Sequence, residues 1–490
     1  MSILVLDIGT TSMRGILYEK NGEKIALSRR DNHLVFLGDS LIEEDPQEFA
    51  DNTLSIIREL LQTYPADLVE AVAVTSQRSS IIPVDISGHP LLPTIMWQDT
   101  RNRSICNELS VYNARLFQLT GAEVSTVFSG SKMTWIRRNQ PEIYQRVHKF
   151  LNIPEYVCFG MTGRFVSDTT YASRTGLFDL RKGIWHPELL RLYEVEEDKL
   201  CELKEPGETA GHITETYAGL SGLKAGIPVL HCGGDQQCAA IGHGILEEGD
   251  LSITMGTGGF IAAACDRLPP TLPERMIWNR SSIAGHFIME ANVLSCGAAL
   301  EWCARELYGM EVIDYGRLEE EIRKENFVSS CLVVPYFSGR GAPDWDPEAR
   351  AVFANITTAT RRSEIFKSTM ESIFMEIAGH LNDFEREVPI RNIYCGGGMT
   401  ASPALNQLQA DVYGRPVICT DDPEATGLGC LTVALAGLGE YASAAEAWKH
   451  LSIERKLTEY KPDLRKSRQY EDKRRQMEAL YQSVRRGNRS

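Results

Sequence analysis

Two stretches far apart in this chain follow one pattern: an apolar strand, a Gly-Thr turn and a second apolar strand. The first is Ile3-Leu4-Val5-Leu6, the turn Asp7-Ile8-Gly9-Thr10-Thr11-Ser12, and the return Met13–Tyr18. The second is Asp250–Thr254, the turn Met255-Gly256-Thr257-Gly258-Gly259, and the return Phe260-Ile261-Ala262. They open the two halves of a 490-residue chain, which is longer than a single hydrophobic core supports. A hairpin repeated at the head of each half predicts an internally duplicated α/β unit whose two turns face each other across a cleft. None of the G-x-x-x-x-G-K-[ST], G-x-G-x-x-G, G-x-S-x-G or H-E-x-x-H motifs occurs, which argues against Walker-loop, dinucleotide-binding, α/β-hydrolase and zinc-protease readings.

Glycine lets the backbone approach a ligand, and successive N–H groups with Thr and Ser hydroxyls suit phosphate oxygens. Asp7, at a strand end, is placed to hold a cation directly or through water. Between the two hairpins lies Gly233-Gly234-Asp235-Gln236-Gln237, an acid in an otherwise apolar run. A carboxylate that takes a proton, followed by a backbone cradle for phosphate, is what phosphoryl transfer requires. The formal net charge of −15 argues against nucleic-acid binding, so an anionic ligand needs local devices to hold it. No apolar run reaches membrane-span length, and the N-terminus leads into a strand rather than a signal peptide. The twelve cysteines are scattered, with no C-x-x-C pair, and read as reduced core thiols of a cytoplasmic protein.

Helical spacing marks residues 45–63, and the strand Ala71–Val74 delivers Gln77-Arg78-Ser79 at its C-terminal end, where open α/β sheets bind ligands. A second strand end carries Trp97-Gln98-Asp99. Trp97 alone reads as core, whereas beside Gln77 and Arg78 it suits a polyol, which wants paired polar partners and a flat apolar face. Phe128–Trp135 leads into a helix to about Asn139, and Asp168–Gly176 reads as a solvated, capped loop with ligand contact as the alternative. Ser295–Trp302 starts a small-residue helix, and the Pro335–Pro347 loop is expected to cover the cleft. A helix spans 361–384, and the strand Ile393–Cys395 runs into Gly396-Gly397-Gly398, where a base or ribose can lie close to the backbone. A tight-packing helix follows from Glu424 to Ala436, and the charged tail from 464 reads as a solvated helix.

In this order, the motifs resemble the FGGY carbohydrate kinase family of the sugar kinase, actin and Hsp70 superfamily. The likeness covers essentially the whole chain. It implies an α/β fold of two actin-like (ribonuclease H-like) domains, each a mixed sheet flanked by helices, with the active site in the interdomain cleft. Residues 1–245 would form the sugar-binding side and 246–490 the ATP-binding side. The implied catalytic base is Asp235, with Gln77, Arg78, Trp97, Asp235, Gln236 and Phe260 at the substrate. ATP would be held by Thr10, Thr11, Ser12, Arg14, Gly256, Thr257, Gly297, Gly397, Gly398 and Asn406, and Mg²⁺ by Asp7 and Asp235.

Several stretches look most like glycerol kinases, but those carry Glu where Ser79 stands and a substrate-side tyrosine where Val127 stands. Hydroxyl-binding sites discriminate strongly when pairing changes, which points away from glycerol. Among the other substrates the resemblance implies, a pentulose such as xylulose or a related polyol is the expectation, and no motif selects among them. Glycerol is the alternative substrate. From another class, an actin- or Hsp70-like ATP switch shares the implied fold, and a sugar sensor is a third reading; the sugar-side cluster argues against the switch and the intact phosphate turns against the sensor. The expected partner is a small sugar or polyol, with no nucleic acid and no membrane, and a homodimer is allowed.

Overall fold

The computed structural model describes residues 1–38, 40–325, 327–342, 344–420, 424–453 and 455–487. Its first sheet is built from β1 (Ser2–Ile8), β2 (Ser12–Glu19), β3 (Lys24–Asp31), β4 (Val69–Ser76), β5 (Thr209–His212) and β6 (Pro228–Gly234), in the order β5-β6-β4-β1-β2-β3. β1 runs antiparallel to β2 and parallel to β4, and β4 is parallel to β6. β1 is buried along its whole length because both faces are covered. Leu4, Leu6 and Ile8 point into one core with Phe49, Ile56 and Val72, while Ile3 and Val5 point into another with Ala71, Leu428 and Leu431. This two-sided burial explains the continuous apolar run of β1.

The second sheet contains β7 (Asp250–Met255), β8 (Gly259–Cys265), β9 (Ile277–Arg280), β10 (Phe287–Val293), β11 (Asn392–Gly396), β12 (Val417–Thr420) and β13 (Leu457–Tyr460), in the order β9-β10-β8-β7-β11-β12-β13. Apart from the extra edge strand β9, it repeats the first sheet strand for strand. β7 is antiparallel to β8 and parallel to β11, β11 is parallel to β12, and an antiparallel edge strand closes each series. The duplication expected from the two hairpins is therefore present.

Helix α1 (Pro46–Thr63) starts at the Asp45 cap, whose carboxylate accepts the Gln47 N–H at 2.9 Å, and buries Phe49, Ile56, Ile57 and Leu60. α2 (Ser129–Asn139) comprises most of the Phe128–Trp135 motif itself, and α3 (Asp235–His243) begins on the acid singled out above. The second half adds α4 (Gly297–Tyr308), α5 (Arg362–Glu385), α6 (Pro403–Tyr413), α7 (Ala425–Gly437) and α8 (Leu464–Gly487).

α3 and α7 cross backbone to backbone. A Cβ on Gly429 would lie 1.8 Å from the Cys238 carbonyl oxygen, and one on Gly242 would lie 1.9 Å from that of Ala425. α7 packs on the first sheet through Leu428, Leu431 and Leu435, while Ala240 of α3 packs against Ala264 and Ile288 of the second. Each half thus lends a helix to the other across their junction.

Two sequence expectations change here, for the C-terminal helix and the segment Asp168–Gly176. The C-terminal helix is not merely solvated: Tyr470, Lys473, Met477 and Tyr481 are buried along one face, and Lys473 Nζ meets Glu371 Oε2 at 2.6 Å. The segment Asp168–Gly176 is buried throughout rather than forming a solvated loop, because its polar groups pair with one another and with the chain beneath. The described part of the Pro335–Pro347 loop is pinned to the second half: Arg340 pairs with Glu376 at 3.2 Å and Glu478 at 2.9 Å, and Asp346 accepts from Tyr481 at 2.9 Å. Pro343 of that loop lies outside the described residues. All twelve cysteines are free and buried. Among the described residues no helix is long and apolar enough to cross a membrane.

Candidate active site

The two hairpin turns present their tips. In the first, Gly9 N–H donates to Ser12 O at 3.0 Å, and Asn32 Nδ2 holds the Gly9 carbonyl at 2.9 Å. Thr11 is exposed at its tip and Ser12 half-buried. In the second, Gly256 N–H donates to Gly258 O at 3.0 Å, leaving Gly256 and Thr257 exposed. The start of α4 braces it: Gly297 N–H donates to Gly256 O at 2.8 Å, and Cys296 and Ala298 N–H both donate to Thr257 O at 3.0 Å. Only glycine fits at 297, since a Cβ there would lie 2.4 Å from the Gly256 oxygen.

Thr10 faces the other way. Its hydroxyl donates to Gln77 Oε1 at 3.2 Å and accepts from Trp97 Nε1 at 3.1 Å, while Gln77 Nε2 donates to Gly9 O at 3.2 Å. Thr10, Gln77 and Trp97 form one hydrogen-bonded chain that ties the first turn to the segments carrying Gln77 and Trp97. Gln77 is only 3% exposed, so its amide braces the turn.

Asp7 is buried and pairs with Arg14 at 2.7 Å, and Arg14 reaches Glu424 at 3.1 Å. Burial pushes the Asp7 carboxyl upward against the pull of Arg14. Asp235 is the first residue of α3, half-buried, with Oδ1 accepting from Gln236 N–H at 2.7 Å. Burial raises its pKa to about 6, Arg78 opposes the rise and Asp7 adds to it. Two carboxylates thus share one field, a donor set suited to a hard divalent cation completed by phosphate oxygens and water. Among the described residues no group of three or more His, Cys, Asp or Glu could hold a metal ion by itself.

Beside Asp235, an ion triad spans the two halves. Arg78 meets Glu290 of β10 at 3.1 Å, and Arg174 bonds the other oxygen of the same carboxylate. Despite burial, the two guanidinium groups hold Glu290 below the usual carboxylate range; burial lowers Arg174 to about 10. Glu290 lies in an apolar strand and carried no sequence signal. Ser79 adopts a left-handed backbone at φ 73° and donates to Arg174 O at 3.3 Å. Lys132 is wholly buried, with Nζ donating to the carbonyls of Thr126 at 2.7 Å, Val127 at 2.8 Å and Trp97 at 3.4 Å. Phe260, on β8, is an exposed aromatic at 45%, and Gln236 is half-buried.

On the second sheet, β11 ends at Gly396 and is followed by Gly397, at φ 94°, and the short turn Gly398–Ala401. Asn406 is 1% exposed, and its Nδ2 donates to Thr400 O at 2.8 Å, so it fixes that turn from behind.

The duplicated sheets, each opening on a hairpin with a glycine turn, give the chain an actin-like α/β fold. The family descriptions "FGGY family of carbohydrate kinases, N-terminal domain" and "C-terminal domain" match residues 2–242 and 251–438. The chain belongs to the FGGY family of carbohydrate kinases, enzymes that phosphorylate hydroxyl groups with ATP. It is 30% identical to a glycerol kinase of Thermococcus kodakarensis over 461 residues, 91% of each chain, and 32% identical to one of Thermococcus onnurineus, covering 92% of this chain and 90% of that one. Its fold matches a xylulose kinase structure from Rhodospirillum rubrum with a TM-score of 0.93 at 23% identity over 100% of both chains. A Plasmodium falciparum glycerol kinase structure with ADP matches with a TM-score of 0.89 at 24% identity, over 99% of this chain and 98% of that one. At these identities the two structures speak for the fold alone.

Proposed function

We propose that this kinase transfers the γ-phosphate of ATP to a primary hydroxyl of a pentulose such as xylulose, or of a related small polyol. The observation that supports the reading is Asp235 at the start of a helix, in one electrostatic field with Arg78, Asp7 and Glu290. Asp235 takes the proton of the acceptor hydroxyl as its oxygen bonds to the γ-phosphorus and the bond to the β,γ-bridging oxygen breaks. A carboxyl near pKa 6 is mostly ionised at neutral pH yet more basic than an ordinary aspartate. Thr11, Ser12, Gly256 and Thr257 hold phosphate oxygens with their N–H and hydroxyl groups. Arg78, Trp97, Gln236 and Phe260 position the acceptor, with Gln77 and Thr10 behind them. Gly397 and Gly398 form the nucleoside side, with Asn406 as the brace of their turn. Mg²⁺ held by Asp7 and Asp235, largely through water, would neutralise phosphate charge. Residues 1–245 supply the acceptor side and 246–490 the nucleotide side.

The absence of a carboxylate at Ser79 and of a phenol at Val127 supports an acceptor other than glycerol. Glycerol is the second reading, favoured by the glycerol kinase names of relatives at 30% and 32% identity. A coupled ADP-release assay over glycerol, erythritol, xylulose, ribulose and gluconate separates them. The expected result is ADP release stimulated by a pentulose or related polyol, with the matching phosphomonoester formed. Stimulation by glycerol alone selects the second reading, and turnover unchanged across the panel contradicts a sugar kinase.

A further inference from the structure

The buried segment Asp168–Gly176 has no part in the mechanism above, yet it packs against Gly233 and Gly234, the end of β6 that delivers Asp235. Asp168 is 0% exposed and caps its own short turn, Oδ1 accepting from Thr170 N–H at 2.8 Å and Tyr171 N–H at 3.3 Å. The same oxygen accepts the Thr170 hydroxyl proton at 2.5 Å. With its proton committed there, Thr170 Oγ1 is left as an acceptor, and Gly234 N–H donates to it at 3.0 Å. Gly234 is the residue before Asp235 and the N-cap of α3. The carbonyl of Gly233 is held in turn by Tyr171 OH at 2.7 Å and Thr75 Oγ1 at 2.8 Å.

We propose that Thr170, with its hydroxyl oriented by Asp168, is a positioning residue for Asp235: it fixes the peptide that aims this carboxylate at the acceptor hydroxyl. The proposal rests on the reading of Asp235 as the base. A hydroxyl polarised by a buried carboxylate is a strong, one-directional acceptor, so the Gly234 N–H has one direction in which to point. Neither Asp168 nor Thr170 touches reactants. Their effect is on alignment, where a displacement of about 1 Å costs on the order of a hundredfold in rate.

The test compares Thr170→Val, which keeps the shape and removes the acceptor oxygen, with Thr170→Ser, which keeps the oxygen. Asp235→Asn serves as the control, and steady-state kinetics use the acceptor found in the ADP-release screen, or xylulose if several respond. For Thr170→Val the expected result is a fall in kcat of about tenfold to a hundredfold, with KM for ATP within about twofold of wild type, and recovery of most of kcat in Thr170→Ser. Thermal melts of both variants show whether the fold persists. Wild-type kcat in a folded Thr170→Val, while Asp235→Asn is inactive, overturns the positioning role and leaves the base assignment standing. Equal impairment of Val and Ser variants, with matching losses in melting temperature, assigns Thr170 to stability alone and also overturns it. An Asp235→Asn variant with near wild-type kcat overturns the base assignment, and the positioning role falls with it.

Discussion

A carboxyl kept ready to take a proton is held at a cost to the fold, and Asp235→Asn exposes that cost. The pKa of Asp235 is about 6 in the folded protein against an ordinary 3.8, so folding takes up a proton on this group between those values. Below about pH 4 the group is protonated in both states and costs nothing. As pH rises through about 6 the folded state loses the proton that stabilised it, and the full penalty is present at neutral pH. The gap between the two values corresponds to roughly 3 kcal/mol as an upper bound. Asparagine has nearly the same shape and carries no charge, so the variant escapes the penalty. At about 2–4 °C per kcal/mol for units of this size, Asp235→Asn is expected to melt several degrees above wild type at pH 7–8. The difference should shrink toward zero as the pH is lowered to about 4. Circular-dichroism melts of both proteins across that range read the effect directly. A variant that melts at or below wild type throughout, with a gap that does not change with pH, refutes the placement of Asp235 in a desolvated, acid-rich site.

Other elements of the structure give separate expectations. Glu290→Gln leaves Arg78 and Arg174 buried without their shared counter-charge, and one-sided loss of such a pair costs about 3–5 kcal/mol; a lower melting temperature and a raised acceptor KM should appear together. Gly429→Ala puts a methyl 1.8 Å from the Cys238 oxygen, so α3 and α7 must separate. Its soluble yield and melting temperature should fall, and an unchanged melt would contradict the backbone-to-backbone crossing. Glu371→Ala leaves Lys473 and Lys367 facing an empty site beneath α8. That change should lower the melting temperature, and limited proteolysis should release the C-terminal helix.

The parts of this architecture that were legible in the sequence are those encoded locally. The Gly-Thr turns at 9–12 and 256–259 sit between apolar runs, so both hairpins and the duplication of an α/β unit were legible, while the strand order of the sheets was not. Asp235 stood out because an acid in an apolar Gly-Gly context is conspicuous, and the structure sets it at the start of α3. Glu290 was not, because it sits in the strand Phe287–Val293 and its partners come from the other half of the chain. Asp168–Gly176 misled for a related reason: local polarity suggests solvent, whereas here most of the polar groups find partners out of water. The packing of α7 on the first sheet is a long-range exchange that no local pattern records. The buried face of α8 did leave a signal, since Tyr470, Lys473, Met477 and Tyr481 recur at helical spacing within the charged tail.

The central claim is that Asp235 accepts the proton of a carbohydrate hydroxyl during transfer of phosphate from ATP. Product formation by Asp235→Asn, followed by mass spectrometry of the phosphorylated acceptor at saturating ATP and acceptor, tests it most directly. The account predicts a fall in kcat of about 10²–10⁴-fold relative to wild type. Retention of kcat within about tenfold, in a folded variant, contradicts it.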